Sequence, residues 1–273
     1  MRRTRVLVLL LCLYTVARLI RPGDQCPHTL RFSANRTVVV LASYPGSGNT
    51  WLRELIESAT GLYTSSAVWE PTLEPRFKVH GRLDGSVVVV KTHHWIDVQH
   101  AIILVRDPLD TLKAEFNRRF SNHTGHASPE QYAKHWDDHA RLSLVQWQMF
   151  HWIFYSRLRR ENILTVTYDD LRTSTHHTLH NILSYLNISV TGIQCALGAP
   201  KHFHRPRGIS VNTSAVFREA RDRVWRMVDN NISAADVAYF TSFKLRAPTQ
   251  WLRPIPSEHV AQGVQLELPG AVA

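Results

Sequence analysis

The feature that most constrains the fold is a buried-strand pattern that runs directly into a glycine-containing loop and a helix. Thr37 to Ala42 reads TVVVLA, an apolar, β-branched run typical of a strand buried on both faces. The loop SYPGSGNTW follows at 43–51, and helical periodicity continues from Thr50 to Ala59 and stops at Gly61. Small residues in such a loop let backbone N–H groups converge at the positive end of the helix. The pattern therefore predicts a phosphate-binding loop.

The sequence of this loop differs from that of a nucleotide-hydrolysing P-loop. A Walker A sequence needs lysine followed by serine or threonine after its second glycine, whereas Gly48 is followed by Asn49 and Thr50. The architecture is therefore expected to be P-loop-like, and a nucleotide-dependent kinase is disfavoured. An ordinary tight turn between strand and helix is the simpler alternative.

Three further apolar runs predict strands, at residues 86–90, 101–105 and 163–166. A long helix is predicted to begin near Ser128, because Ser128-Pro129-Glu130-Gln131 has the residues of a capping box with proline at the first helical position. Its aromatic side chains recur at helical spacing and are interpreted as core. Another helix is predicted over 174–186. Alternating strands and helices predict an α/β, P-loop-like three-layer sandwich with a central parallel sheet flanked by helices.

Ionisable and hydrogen-bonding side chains follow the later predicted strands. Lys91 and His93 follow the second strand, Arg106 the third and Tyr168 the fourth. Carboxyl ends of parallel strands form the crevice in which open α/β folds bind ligands. His93 suits a general base and Arg106 suits bidentate phosphate binding, although each residue alone has a simpler structural interpretation. The histidine clusters lack a cysteine or acidic partner at ligand spacing, so no metal site is predicted.

The N-terminal sequence predicts entry into the secretory pathway. Three arginines within the first five residues precede an apolar run over 6–17, which resumes at 19–20 and stops at Arg21. The run is interpreted as a single-pass type II signal-anchor with most of the chain lumenal, and a cleaved signal peptide is the alternative. Five N-x-[ST] sequons favour the same compartment. They lie at Asn35, Asn122, Asn187, Asn212 and Asn231.

These patterns divide the chain into a cytoplasmic tail and anchor (1–21), a stem (22–35), a principal domain (36–247) and a proline-containing tail (248–273). The formal net charge of +10 predicts an anionic partner, but dispersed basic residues and a lumenal location disfavour nucleic acid. Cys12 lies in the apolar run, which leaves Cys26 and Cys195 as the remaining pair. Two free thiols are the preferred interpretation.

Read in order, five motifs resemble the sulfotransferases that use 3'-phosphoadenosine 5'-phosphosulfate (PAPS). They are YPGSGNTW, VVKTHH, ILVRDPLD, LTVTYDDL and the later RPRG, between about Thr37 and Gly208. The sequence most resembles the catalytic domain of the WSC-domain-containing group, the sialate O-sulfotransferases. The stretches that carry this resemblance are ASYPGSGNTWLRELIE and AEFNR. The cysteine-rich WSC modules are absent from this sequence.

The resemblance implies PAPS as donor co-substrate, no metal, and a role for each matching residue. The loop would hold the 5'-phosphosulfate, aromatic residues the adenine, and arginines with a late glycine the 3'-phosphate. The implied donor-binding residues are Ser47, Gly48, Asn49, Thr50, Trp51, Arg106, Tyr168, Arg205, Arg207 and Gly208. His93 would take the proton of the acceptor hydroxyl, and Lys91 would neutralise charge on the sulfuryl group.

Two positions depart from the family pattern. The lysine that usually donates to the leaving oxygen is Gly46, and the serine usual eight residues after the phosphate-binding arginine is Ala114. Losing such a donor costs about 2.7–4 kcal/mol of transition-state stabilisation. We expect Lys91 to replace it, because Lys91 lies at the neighbouring strand end.

The sequence therefore predicts a Golgi membrane enzyme that transfers a sulfuryl group to a glycan hydroxyl. Sialic acid on sialoglycans is one candidate acceptor, from the resemblance alone. A catalytically inactive PAPS- or PAP-binding protein that recognises glycans is the alternative that Gly46 leaves open. A glycosyltransferase is disfavoured because the sequence has no Asp-x-Asp.

Overall fold

The computed structural model describes residues 26–27, 29–121, 125–198 and 215–244. The predicted signal-anchor and the proline-containing tail lie outside these ranges. In the described ranges, none of the helices combines the length and the apolar character that a bilayer span requires.

The centre of the fold is a five-stranded, wholly parallel sheet with the strand order β2-β3-β1-β4-β5. The strands are β1 (Val39–Ser43), β2 (Ser65–Ser66), β3 (Val90–Thr92), β4 (His100–Val105) and β5 (Ile163–Thr167). The chain leaves β1 toward β3 on one side and returns to β4 on the other, so β1 lies at the point where strand order reverses. Ligands of open α/β sheets bind outside the strand ends at such a point.

The predicted strand at residues 86–90 begins later than expected. Val87, Val88 and Val89 are buried, but pairing with β1 starts only at Val90, opposite Val40. The first part of the run packs in the core and bonds to the segment at 63–65, with Val88 N donating to Tyr63 O and Ser65 N donating to Val89 O, both at 2.9 Å. It pairs with β1 only at its end. The two-residue β2 was not predicted, because its two serines carry no apolar signal.

Helices cover both faces of the sheet, which confirms the predicted α/β three-layer class. They are α1 (Asn49–Thr60), α2 (Pro108–Phe120), α3 (Pro129–Arg157), α4 (Tyr168–Thr173), α5 (Thr175–Tyr185), α6 (Ile193–Gly198), α7 (Ala215–Val228) and α8 (Ala234–Lys244). Side chains of α2, α3, α7 and α8 form one core, and side chains of α1, α4, α5 and α6 form the other. Strand β1 serves both, because Val40 and Ala42 face the first core while Val39 and Leu41 face the second.

The helix ends follow local sequence signals. The capping box of α3 is present, with the Ser128 side chain accepting from Gln131 N and the Gln131 side chain accepting from Ser128 N. Gly61 ends α1 in the left-handed conformation, at φ 63°. Helix α2 was not predicted, although the Asp107 side chain caps it and Pro108 occupies its first position.

A disulfide joins Cys26 to Cys195 on α6, with 5.4 Å between the Cα atoms. The expectation of two free thiols was wrong, because 169 residues separate the two cysteines and only the fold brings them together. Residues of the predicted stem also pack on the domain: Arg31 pairs with Leu62, and the Ser33 hydroxyl donates to Gly85 O at 2.8 Å. The structured body therefore begins ahead of the predicted boundary at residue 36.

Candidate active site

The loop after β1 is held in a conformation that depends on two glycines. Gly46 and Gly48 have φ values of 85° and 97°, in the left-handed region that other residues adopt rarely. A Cβ atom on Gly46 would lie 2.5 Å from the Thr111 carbonyl oxygen, and one on Gly48 would lie 2.8 Å from the Tyr168 ring. The loop therefore approaches α2 and the Tyr168 ring too closely for any side chain at either position.

This loop presents the open N-terminus of α1. The first hydrogen bond within the helix runs from Leu52 N to Gly48 O at 3.2 Å, and the N-cap residue, Gly48, has no side chain with which to cap this end. The N–H groups of Asn49, Thr50 and Trp51 thus have no intrahelical acceptor. The hydroxyl of Ser47 is fully buried without a hydrogen-bond partner among the described residues. Converging donors at a positive helix end suit an anion such as a phosphate or a sulfuryl group.

Asn49 stabilises the loop from inside. Its side-chain nitrogen donates to Leu41 O at 3.1 Å and to the Ser43 hydroxyl at 3.0 Å. Both acceptors belong to β1, so Asn49 ties the start of α1 to the end of the strand. The resemblance assigned Asn49 to the donor, and its contacts here show a supporting role for the loop.

His93 lies next to this loop with its tautomer fixed. Its Nδ1 lies 2.6 Å from the carbonyl oxygen of Ser43. A carbonyl oxygen can only accept, so Nδ1 carries the proton and Nε2 keeps its lone pair. Burial and, to a smaller extent, the positive charge of Lys91 lower the pKa of His93 to about 3. The imidazole is therefore neutral near pH 7, as a proton acceptor must be.

Lys91 is buried at the same strand end and forms an ion pair with Glu70. Burial lowers the pKa of the Lys91 ammonium to about 8, and the negative charge of Glu70 opposes that decrease. Sequence reasoning missed Glu70, because it lies between β2 and β3 in a segment without helical or strand periodicity. Its carboxylate is the counter-charge of a residue expected to act on the sulfuryl group.

Arg106 connects the ends of β1, β4 and β5. Its Nη1 donates to Gly46 O at 2.9 Å, and its guanidinium lies 4.3 Å from the centre of the Tyr168 ring. Tyr168 in turn makes an edge contact with Trp51, with 5.9 Å between ring centres. The structure thus brings together the arginine and the two aromatic residues predicted for a nucleotide.

A cavity of about 280 Å³ opens beside Arg106. Thr167 and Asp169 line it from the end of β5 and the start of α4, and Arg221 and Trp225 line it from α7. Neither Arg221 nor Trp225 was predicted, since α7 comes late in the chain without a motif. The predicted Arg205, Arg207 and Gly208 lie outside the described residues. Among the residues the structure covers, no group of three histidine, cysteine or carboxylate side chains could hold a metal.

The fold and the loop define a P-loop-like α/β protein, and comparison with known proteins adds a relationship. The chain is 35% identical over 185 residues to WSCD family member AAEL009094 of Aedes aegypti, covering 63% of this chain and 58% of that protein. It is 37% identical over 172 residues to WSCD family member CG9164 of Drosophila melanogaster, covering 59% and 54%. The chain thus spans a little over half the length of the curated relatives it matches. These identities confirm the predicted relationship to the WSC-domain-containing group. No family model matches the chain.

Two solved structures give weaker similarity. Mouse sulfotransferase SULT7A1, crystallised with PAP, matches over 85% of this chain and 91% of its own, with 18% identity and a TM-score of 0.41. Retinol dehydratase, crystallised with androsterone and the inactive cofactor PAP, matches over 74% and 82%, with 15% identity and a TM-score of 0.36. The fold class rests on the strand order and the two helical layers described above.

Proposed function

We propose that this chain is a sulfotransferase that moves a sulfuryl group from PAPS to a hydroxyl group of a glycan. One observation carries the proposal: the open N-terminus of α1 follows the same loop whose Ser43 carbonyl fixes the His93 tautomer. An anion site and a neutral base therefore both adjoin the loop that follows β1, at one edge of the sheet. Sulfuryl transfer needs both in that arrangement.

The described residues suit the donor. Ser47 offers a buried hydroxyl without a partner among them, and the α1 N-terminus offers N–H groups for the 5'-phosphosulfate. Trp51 and Tyr168 offer aromatic surfaces for adenine, and Arg106 offers a guanidinium for the 3'-phosphate. Arg205, Arg207 and Gly208 complete the predicted donor set.

The transfer step requires neither a metal ion nor a change of oxidation state. The acceptor oxygen forms a bond to sulfur while the bond between sulfur and the phosphate oxygen of the donor breaks. The proton of the acceptor hydroxyl passes to His93 Nε2, and PAP leaves with the electron pair of the broken bond. Lys91 offsets negative charge on the sulfuryl oxygens, as cations do in phosphoryl transfer.

We also propose that the acceptor is a glycan, with sialic acid on sialoglycans as one candidate, and that the enzyme works in the Golgi lumen as a single-pass type II membrane protein. Three observations support the compartment. The arginine-flanked apolar run precedes the domain, and the Cys26–Cys195 disulfide suits an oxidising lumen. Three sequon asparagines in the described ranges, Asn35, Asn187 and Asn231, are exposed.

The test is transfer of labelled sulfate from PAPS by the full-length chain to sialylated, galactosylated and heparan-type acceptors. We expect transfer to one class, reduced about 100- to 10,000-fold by His93→Ala. His94→Ala is the matched control, because His94 is the exposed neighbour of His93 and should retain activity. Equal rates for the two variants would contradict the role of His93.

The alternative is a donor-binding protein without catalysis, which Gly46 favours by removing the usual donor to the leaving oxygen. It predicts tight PAP binding without transfer to any acceptor class. Calorimetric titration with PAP on the same preparation separates the two functions. A chain that does not bind PAP would contradict both.

A further inference from the structure

Glu70 forms an ion pair with the buried ammonium group of Lys91. It immediately precedes a short 3₁₀ turn, Pro71–Leu73, in the segment between β2 and β3. Its carboxylate contacts Lys91 Nζ and accepts from the Ser66 hydroxyl at 3.3 Å. The Lys91 side chain is 3% exposed, whereas Glu70 is 24% exposed. The carboxylate therefore lies between a buried ammonium and the surface.

A second buried cation lies near the same carboxylate. Arg53 of α1 is fully buried, donates from Nε to the Thr64 hydroxyl at 2.9 Å, and stacks 3.7 Å from the centre of the Phe77 ring. Its Nη1 and Nη2 have no hydrogen-bond partner within the described part of the chain. The charge of Arg53 stabilises ionised Glu70. Glu57 of α1 favours the charged form of Arg53 more than Glu70 does, so Glu70 is chiefly the counter-charge of Lys91.

Other charges near Lys91 do not supply this balance. Arg53 and Arg118 of α2 both disfavour its ammonium form, and the charge of Lys91 itself lowers the pKa of His93. Glu70 is the group that favours the charged form, through its charge and its hydrogen bond. A buried ammonium without such a partner loses its proton in preference to remaining charged.

We propose that Glu70 is a positioning residue that keeps Lys91 protonated at the sheet edge until the negative charge of the donor replaces the carboxylate. This role in catalysis rests on the proposed function. When Lys91 turns to the sulfuryl group, the positive charge of Arg53 still favours the ionised form of Glu70. Lys91 is thus already protonated before the donor binds, and its ammonium group can contact the donor without first gaining a proton.

The direct test measures the titration of Lys91 in the full-length chain. The chain has six lysines, so ¹³C labelling at lysine Cε gives six resonances, and the signal lost in Lys91→Arg assigns Lys91. We expect Glu70→Gln to lower the Lys91 titration midpoint by about 1–3 pH units. Glu74→Gln is the matched control, because Glu74 is exposed on the same turn and should leave the midpoint unchanged.

The second readout is the pH profile of sulfuryl transfer. Because transfer needs protonated Lys91, the alkaline limb should move to lower pH in Glu70→Gln by the same shift, so that acidification restores activity. Glu70→Asp keeps a carboxylate and should restore part of the midpoint. An unchanged midpoint, or loss of activity at every pH, would overturn the proposal. A wild-type chain without transfer would contradict the proposed function alone, since the NMR titration needs no turnover.

Discussion

Gly46 and Ala114 are in direct apposition: a Cβ atom on Gly46 would lie 3.3 Å from the Cβ atom of Ala114. These are the two positions at which the sequence departs from the sulfotransferase pattern. The same Cβ would lie 2.5 Å from Thr111 O and 3.0 Å from Glu115 N. The departures therefore form one feature, a loop packed directly on the backbone of α2.

Restoring a lysine at position 46 should not restore a leaving-group donor. Gly46→Lys and Gly46→Ala both place a side chain at positive φ against backbone atoms, so each should lower the free energy of unfolding by at least about 1–3 kcal/mol. Denaturant unfolding measures this loss, and PAP titration should show weaker binding. Gly198→Ala is the control, since the added Cβ meets no other atom of the described residues within 4 Å. A stable, faster Gly46→Lys enzyme would refute the packing argument.

Replacing Arg106 by lysine should weaken donor binding. Lysine keeps the charge but loses the planar group that bonds Gly46 O and stacks on Tyr168. We expect Arg106→Lys to weaken PAP binding about 10- to 100-fold, the equivalent of one charge-assisted hydrogen bond. Calorimetry measures the change. Arg172→Lys, at an exposed position on α4, provides the comparison and should bind like wild type.

Acid should destabilise the protein through histidines that are buried in the neutral form. Burial lowers the pKa of both His139 and His151 to about 4, against 6.5 for an unperturbed imidazole. Between pH 6.5 and about 4 the unfolded chain binds protons that the folded chain does not, so stability falls as the pH falls.

Replacing His151 should reduce this acid sensitivity. Its Nδ1 donates to Trp147 O at 2.7 Å, a bond that a glutamine side chain can imitate. The slope of unfolding free energy against pH should become shallower in His151→Gln by up to about 1.4 kcal/mol per pH unit. Chemical denaturation at several pH values measures the slope. His176 is exposed, so the slope in His176→Gln should equal that of the wild type. A wild-type slope in His151→Gln would exclude burial of His151 as the cause.

The disulfide should contribute substantially to stability. Closing a loop of this length removes about 5 kcal/mol of unfolded-chain entropy in the loop-closure model. Cys195→Ser should therefore lower the unfolding temperature markedly, and added reductant should do the same to the wild type. Cys12→Ser, which leaves the bridge intact, should melt like wild type. Identical melting of all three proteins would show that the bridge adds nothing.

Much of the site was predictable because strand ends in a parallel α/β fold meet at one edge. His93, Arg106 and Tyr168 could be placed there from their positions after apolar runs, without knowing strand order. Glu70 could not be placed there, because its segment has neither helical nor strand periodicity and its partner Lys91 is 21 residues away in the sequence. The contact of Gly46 with Ala114 was equally hidden, since it depends on how closely α2 packs on the loop.

Secondary structure was predictable where a local signal is strong. The capping box at Ser128 and the glycine at 61 predicted helix ends correctly. The first part of the 86–90 run bonds to the segment at 63–65 and not to β1, which its apolar pattern could not show. The Cys26–Cys195 contact leaves no local trace, because 169 residues, which include all five described strands, separate the two cysteines.

The long separation of the bridged cysteines also sets an order of events during synthesis. At about 5–20 residues per second, Cys195 is made roughly 10–30 s after Cys26. Throughout that interval the nascent chain contains Cys26 but not yet Cys195. The bridge can close only after the residues of all five described strands have been synthesised, so it joins a segment ahead of the sheet to a helix that follows it.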